Sequence, residues 1–209
     1  MDSGIIIANP NAPTGLLLKL NEIEEIIKTN KNNVVIIDEA YIDFGGESAI
    51  KLINESDNLL VVQTFSKSRS LAGMRLGFAI GNKELIKGLK NIKFSFNSYT
   101  INRFSILAGI EAFKDEEYFK KSVSKIIKTR EKTKEELKKL NFKVLDSKSN
   151  FLFISHNKVF AEDIYLKLKD KGILVRYFKQ DIIKDFIRVT IGTDEEMIIF
   201  INVLKEIID

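Results

Sequence analysis

The sequence predicts an α/β chain in which residues 1–98 form a parallel sheet wound with helices and residues 99–209 form a smaller α+β domain. Two observations carry this. In the first half, short β-branched apolar runs alternate with helical stretches, the pattern of parallel strands joined by crossover helices. From about Tyr99 the pattern changes to long helices, followed by short strands separated by single helices.

In order, Ile5-Ile6-Ile7-Ala8 reads as a first strand running into a turn dense in Asn, Pro and Gly, residues 9–15. Asn21 and Glu24 fit the cap of a helix that turns Ile23, Ile26 and Ile27 inward. Val34-Val35-Ile36-Ile37 is a buried strand, 49–53 a short helix, Leu59-Leu60-Val61-Val62 a third strand and 75–80 a fourth, with a helix over 83–93 beyond it. The apolar 102–113 stretch suits a helix bridging two domains, and 116–140 a long amphipathic helix. Strands follow at 142–145 and 151–155, a helix at 160–171, and strands at 173–176 and 186–191. Thr193-Asp194-Glu195-Glu196 then forms a capping box that opens the last helix.

Three segments carry chemistry. The second strand ends in Asp38-Glu39-Ala40-Tyr41, and ligands of open α/β sheets lie at the carboxyl ends of strands. A carboxylate there can pair with a protonated ring nitrogen and a tyrosine can hydrogen-bond a phenolic oxygen; equally, Asp38 could cap a helix and Tyr41 be a half-buried aromatic. The third strand delivers Thr64-Phe65-Ser66-Lys67-Ser68, with Arg75 eight residues after the lysine. A lysine set among hydroxyls and an arginine suits covalent work on a carbonyl beside a phosphate dianion, although a solvated basic loop has the same composition. The third segment is Asn9-Pro10-Asn11-Ala12-Pro13-Thr14-Gly15, which holds both prolines of the chain and suits either chain reversal or one wall of a ligand site.

Two further arginines lie on expected strands. Arg188, in an otherwise apolar strand, must meet a protein carboxylate or a ligand anion, because an unpaired charge there is costly. Arg176, after Ile173-Leu174-Val175, raises the same question, and Asn150 precedes a core strand where it could simply cap a turn.

These motifs in this order, with Leu71-Ala72-Gly73-Met74-Arg75-Leu76-Gly77, Ser149-Asn150-Phe151-Leu152-Phe153 and Phe186-Ile187-Arg188-Val189-Thr190-Ile191-Gly192-Thr193, resemble the aspartate-aminotransferase superfamily of fold type I pyridoxal-phosphate enzymes. Within it they are similar to the histidinol-phosphate aminotransferase branch. The resemblance implies a three-layer α/β/α large domain, incomplete here, and a C-terminal small domain. It implies that Lys67 forms the Schiff base with pyridoxal 5'-phosphate, Asp38 pairs with its pyridine nitrogen and Tyr41 contacts its phenolic oxygen. Thr64, Ser66 and Arg75 would hold the phosphate, and Arg188, Arg176 and Asn150 the substrate. Many relatives carry Asn directly before Pro-Thr-Gly; Ala12 stands there in this chain, so either Asn11 replaces it or Tyr41 acts without it.

The implied reaction is amino transfer between histidinol phosphate and 2-oxoglutarate in histidine biosynthesis, by a homodimer. A guanidinium fork matches the phosphate of one substrate and the carboxylates of the other alike. A threonine-phosphate decarboxylase shares nearly every motif, and a non-catalytic remnant acting as an interaction domain is the reading from another class. Family members are normally longer, so the chain is expected to be a fragment or truncated product, weakly active or inactive alone.

Composition narrows the rest. The 209 residues are 44% apolar and 30% charged, which argues against disorder. Net charge is +4 with 29 acidic residues interspersed, so the lysines require no nucleic acid. There is no cysteine, and the single His156 has no His or Cys companion for a metal. No apolar run approaches membrane-spanning length and Met1-Asp2-Ser3-Gly4 lacks the basic start of a signal peptide, so a cytoplasmic location is expected.

Overall fold

A computed structural model of the chain describes residues 3–208. Contacts divide it into two units: residues 3–11 with Leu17–Lys121, and Ala12–Leu16 with residues 122–208. The sequence placed the division at 98/99; by contacts it falls at 121/122, inside a continuous helix, and the first Pro-rich turn contributes to the second unit.

In the first unit, strands β1 (Ile5–Ala8), β2 (Val35–Asp38), β3 (Leu59–Thr64) and β4 (Gly77–Gly81) form one sheet in that order. The first three are parallel as expected, but β4 runs antiparallel to β3. The link between them contains only a three-residue 3-10 turn, Ala72–Met74, and a parallel return needs a longer crossover, usually a helix. Helix α1 (Leu20–Thr29) buries Ile23 and Ile27 against the sheet. It begins earlier than the expected Asn21–Glu24 cap: the Lys19 N–H donates to Glu22 Oε2 at 2.7 Å. That start adds Leu20 to the side chains packed on the sheet core. The short helix expected at 49–53 is a 3-10 helix that spans Ala49–Glu55. Its three-residue repeat stacks Ala49 over Leu52 and Ile50 over Ile53, and all four pack on the same core. Helices α2 (Lys83–Phe96) and α3 (Arg103–Lys114) follow, capped by Asn82 and Asn102 side chains that accept from Glu84 N and Ser105 N.

In the second unit, helix α4 (Glu116–Lys139), which starts in the first, leads to β5 (Phe142–Val144), β6 (Phe151–His156), α5 (Ala161–Asp170), β7 (Arg176–Tyr177), β8 (Ile187–Thr190) and α6 (Asp194–Ile208). The sheet runs β5-β6-β8-β7 and is antiparallel throughout. Of the strand expected over 173–176, only its end is paired, because Gly172 at φ +78° and the Ile173 N–H to Leu168 carbonyl bond close α5. Thr193 and Glu196 cap α6 reciprocally, as predicted: Thr193 N donates to Glu196 Oε2 at 2.7 Å and Glu196 N to Thr193 Oγ1 at 3.2 Å. Leu152, Ile154, Ile187 and Val189 face Leu137, Leu168 and Leu204 in the core, so Phe151, Phe153 and Arg188 occupy the other sheet face. Among the described residues no helix is long and apolar enough to cross a membrane.

Candidate active site

The three parallel strands end level, with Ala8 opposite Asp38 and Asp38 opposite Val62. Two backbone bonds extend the ladder past them, from Asn9 N to Asp38 O and from Glu39 N to Val62 O, both 2.8 Å. Asp38–Tyr41 and Thr64–Lys67 therefore leave the sheet side by side at its carboxyl edge, where ligands of such sheets lie. Asn9 is buried and fixes the next loop, accepting from Leu18 N at 2.7 Å and donating to Leu18 O at 3.1 Å.

On this edge the Lys67 Nζ lies 5.3 Å from the centre of the Tyr41 ring. Lys67 is exposed and meets no carboxylate among the described residues. Asp38 is exposed too: its Oδ1 accepts from Ala40 N at 3.0 Å, a turn contact rather than a helix cap, and no cation among the described residues pairs with it. Thr64 Oγ1 lies 3.0 Å from Ser66 Oγ and accepts from Ser66 N at 3.1 Å, so the two hydroxyls form one cluster. Arg75 follows the 3-10 turn in a left-handed conformation (φ 54°) and its Nη1 donates to Ala72 O at 3.1 Å. It too pairs with no carboxylate among the described residues. An amine, a carboxylate and a guanidinium, none with an opposite-charge partner among those residues, thus lie at one strand edge with two hydroxyls. Asn11 is also in this unit.

Glu39, between Asp38 and Tyr41, faces inward and is 2% exposed. Its Oε1 accepts from Ala49 N at 2.6 Å, and its Oε2 from Ser48 Oγ at 2.5 Å and Gln63 Nε2 at 2.8 Å. Burial raises its pKa above the usual carboxylate value, only partly offset by these three donors, and the Asp43 charge raises it further. One residue beyond Lys67, the buried Ser68 Oγ donates to Asp43, two residues beyond Tyr41. The two strand-end loops are tied at their outer ends as well as through the sheet.

In the second unit, Arg176 and Arg188 stand directly opposite each other on β7 and β8. Neither meets a carboxylate among the described residues, so Arg188 lacks the ion pair that sequence reasoning held open. Its Nε is buried without an acceptor. Asn150 gives its carbonyl to Ile191 N at 2.9 Å. The turn before it is held by buried Arg130, whose Nη1 donates to Ser149 O at 2.8 Å. The Pro-rich turn docks there: Lys148 N donates to Gly15 O at 2.8 Å.

Comparison with known proteins places the chain. The profile of the family described as aminotransferase class I and II matches residues 2–204. The chain belongs to this family. Among curated relatives, the histidinol-phosphate aminotransferase of Brachyspira hyodysenteriae is 74% identical over 209 residues, 100% of this chain and 59% of that protein. Among solved structures, the histidinol-phosphate aminotransferase of Clostridium acetobutylicum is 30% identical with a TM-score of 0.89, covering 99% of this chain and 64% of that one. That of Sinorhizobium meliloti, in complex with pyridoxal-5'-phosphate, is 24% identical with a TM-score of 0.89, over 99% and 57% of the two chains. The chain therefore spans about three-fifths of the length of the relatives it matches.

For a class I and II aminotransferase, sequence reasoning named the residues at the strand ends but missed what supports them. Glu39 was readable as inward-facing, since alternation along β2 puts it opposite Asp38. Its partners Ser48 and Gln63 come from elsewhere in the chain and left no local signal. The Ser68–Asp43 bond and the Arg130 support of Asn150 were likewise invisible before the fold.

Proposed function

We propose that these residues form the cofactor side of a pyridoxal-phosphate-dependent aminotransferase acting on histidinol phosphate and 2-oxoglutarate. The observation that carries it is the set of groups at one strand edge without opposite-charge partners among the described residues: Lys67, Asp38 and Arg75, with the Thr64–Ser66 hydroxyls. Each matches one part of the cofactor: its carbonyl carbon, its ring nitrogen and its phosphate. The 74% identity to a histidinol-phosphate aminotransferase supports the substrate. Because 59% of that relative is matched, the reaction is proposed for the whole protein in which these residues serve.

Pyridoxal phosphate, when bound, supplies an electron sink for the carbanion next to the substrate nitrogen. Lys67 would hold it covalently through Nζ, and as a free amine would take up and return a proton at the substrate Cα. The Asp38 carboxylate keeps the ring nitrogen protonated, and the Tyr41 hydroxyl, with or without Asn11, donates to the phenolic oxygen. Thr64, Ser66 and Arg75 bind the phosphate through charge-assisted hydrogen bonds. Arg188, with its unpartnered Nε, and Arg176 clamp the substrate phosphate or carboxylates, and Asn150 borders the same pocket. A homodimer is proposed with them.

A hybrid tests the reading: this chain replaces the matched residues of the Brachyspira relative. Glutamate formation from histidinol phosphate and 2-oxoglutarate, abolished by Lys67→Ala, is the expected result. A folded hybrid that instead releases carbon dioxide from threonine phosphate would move the chain to the decarboxylases.

A further inference from the structure

Two arginines directly opposite each other in an antiparallel pair repel, and protein structures ordinarily relieve this with a carboxylate. Here none lies within ion-pair reach of Arg176 or Arg188 among the described residues. Aromatic rings take that place. The Arg176 guanidinium carbon lies 5.5 Å from the centre of Phe178, and that of Arg188 lies 5.1 Å from Phe151 and 5.9 Å from Phe178. Phe178 is itself held edge-on by buried Phe153, with centroids 6.2 Å apart at 72°. Phe153 in turn stacks on Phe186 at 4.7 Å and 12°.

The chemical consequence differs from that of a carboxylate. A carboxylate consumes the N–H edge of a guanidinium and cancels its charge. A ring attracts the cation while leaving its in-plane donors free. Two forks held this way present their donors together to a doubly charged oxyanion, and the buried Arg188 Nε is a donor still lacking an acceptor.

We propose that Phe178, the ring shared by both arginines, is a positioning residue that sets the affinity and geometry of the anion clamp. This rests on the clamp reading given above and extends it from the two arginines to the ring that both of them meet. The ligand class is a phosphate monoester or dicarboxylate dianion, bound by two charged forks on an aromatic shelf.

The test measures binding of inorganic phosphate to the 209-residue chain by calorimetry at low ionic strength. Phe178→Leu and Phe178→Met remove the ring face at a half-buried position, and Phe178→Tyr keeps it. The leucine and methionine variants are expected to bind about three- to tenfold more weakly, and the tyrosine variant within about twofold of the parent. Thermal melts alongside separate this from loss of fold, since a packing role alone would weaken binding only in step with a lowered melting temperature, whereas the positioning role weakens it in variants that remain fully folded at the temperature of the titration. If Arg188→Ala weakens binding while the leucine and methionine variants bind like the parent, or if tyrosine fails to rescue, the role of Phe178 is overturned. If the parent does not bind phosphate, or Arg176→Ala and Arg188→Ala bind as it does, the clamp reading fails and the inference with it.

Discussion

Replacing Glu39 with alanine removes a side chain that ties the end of β2 to β3 and to the start of the 3-10 helix at residues 49–55. Three donors lose their acceptor: Ala49 N, Ser48 Oγ and Gln63 Nε2. A buried unsatisfied donor costs about 1–3 kcal/mol. The Ser48 and Gln63 side chains are only half-buried and can turn to water, whereas Ala49 is fully buried. Removing a desolvated charge offsets the weaker loss at the two side chains, so the net destabilisation is about 1–3 kcal/mol, set mainly by the Ala49 amide. Hydrogen exchange reads it locally: protection of the Ala49 amide should fall by about 5- to 140-fold, at about 1.4 kcal/mol per tenfold. A fall of less than about threefold would show that Glu39 is not the support described. The charge itself is tested with Glu39→Gln. Because the folded-state pKa is raised above 4.5, the folded protein holds this proton more tightly than the unfolded chain does. The stability that this contributes is complete below the unfolded value and is lost as pH rises through the folded one. The stability of the parent relative to Glu39→Gln should therefore grow as pH falls from 7 towards 4.5, and a difference that is flat with pH would refute the assignment.

Other expectations follow from the same geometry. Gly15→Ala combines a positive φ of 76° with a Cβ only 2.3 Å from Ser147 Oγ, which already bonds Phe151 O at 2.6 Å and Ser149 N at 3.1 Å. A loss of about 3 kcal/mol, or roughly 6–12 °C in a thermal melt, is expected, with partial recovery on adding Ser147→Gly. Ser68→Ala should cost about 1–2 kcal/mol, and adding Asp43→Asn should cost little more, because both remove one bond; additive losses in a double-mutant cycle would contradict the tether. Asp38→Ala in the hybrid enzyme should slow the glutamate half-reaction on the order of 100-fold or more while leaving covalent cofactor attachment largely intact.

The sequence carried the strand-end part of the site because its signals are local. A β-branched run followed by Asp38 and Tyr41, and another followed by Thr64 and Lys67, place those side chains at the carboxyl edge without any tertiary information. The direction of β4 was not local: it depended on how little structure the link after Lys67 contains. The start of α1 escaped because Lys19 is not a capping residue type, and only the Glu22 carboxylate reaching back reveals the boundary. Phe178 had no signal at all, since its part depends on β7 and β8 pairing in the register that sets Arg176 opposite Arg188. The Pro-rich turn read as a possible ligand wall, and the structure gives residues 12–16 a further task, docking on the turn that precedes Asn150.

The central claim is that Lys67 is the amine this fold presents to pyridoxal phosphate, facing Tyr41 and beside the hydroxyl cluster. The direct measurement is to incubate the purified chain with pyridoxal phosphate, reduce with borohydride, and locate the pyridoxyl group by peptide mass mapping. The account predicts label concentrated on Lys67 and lost on Arg75→Ala, which removes the guanidinium assigned to the phosphate. Label spread over the exposed lysines of α4 with Lys67 unmodified, or unchanged by Arg75→Ala, would contradict it.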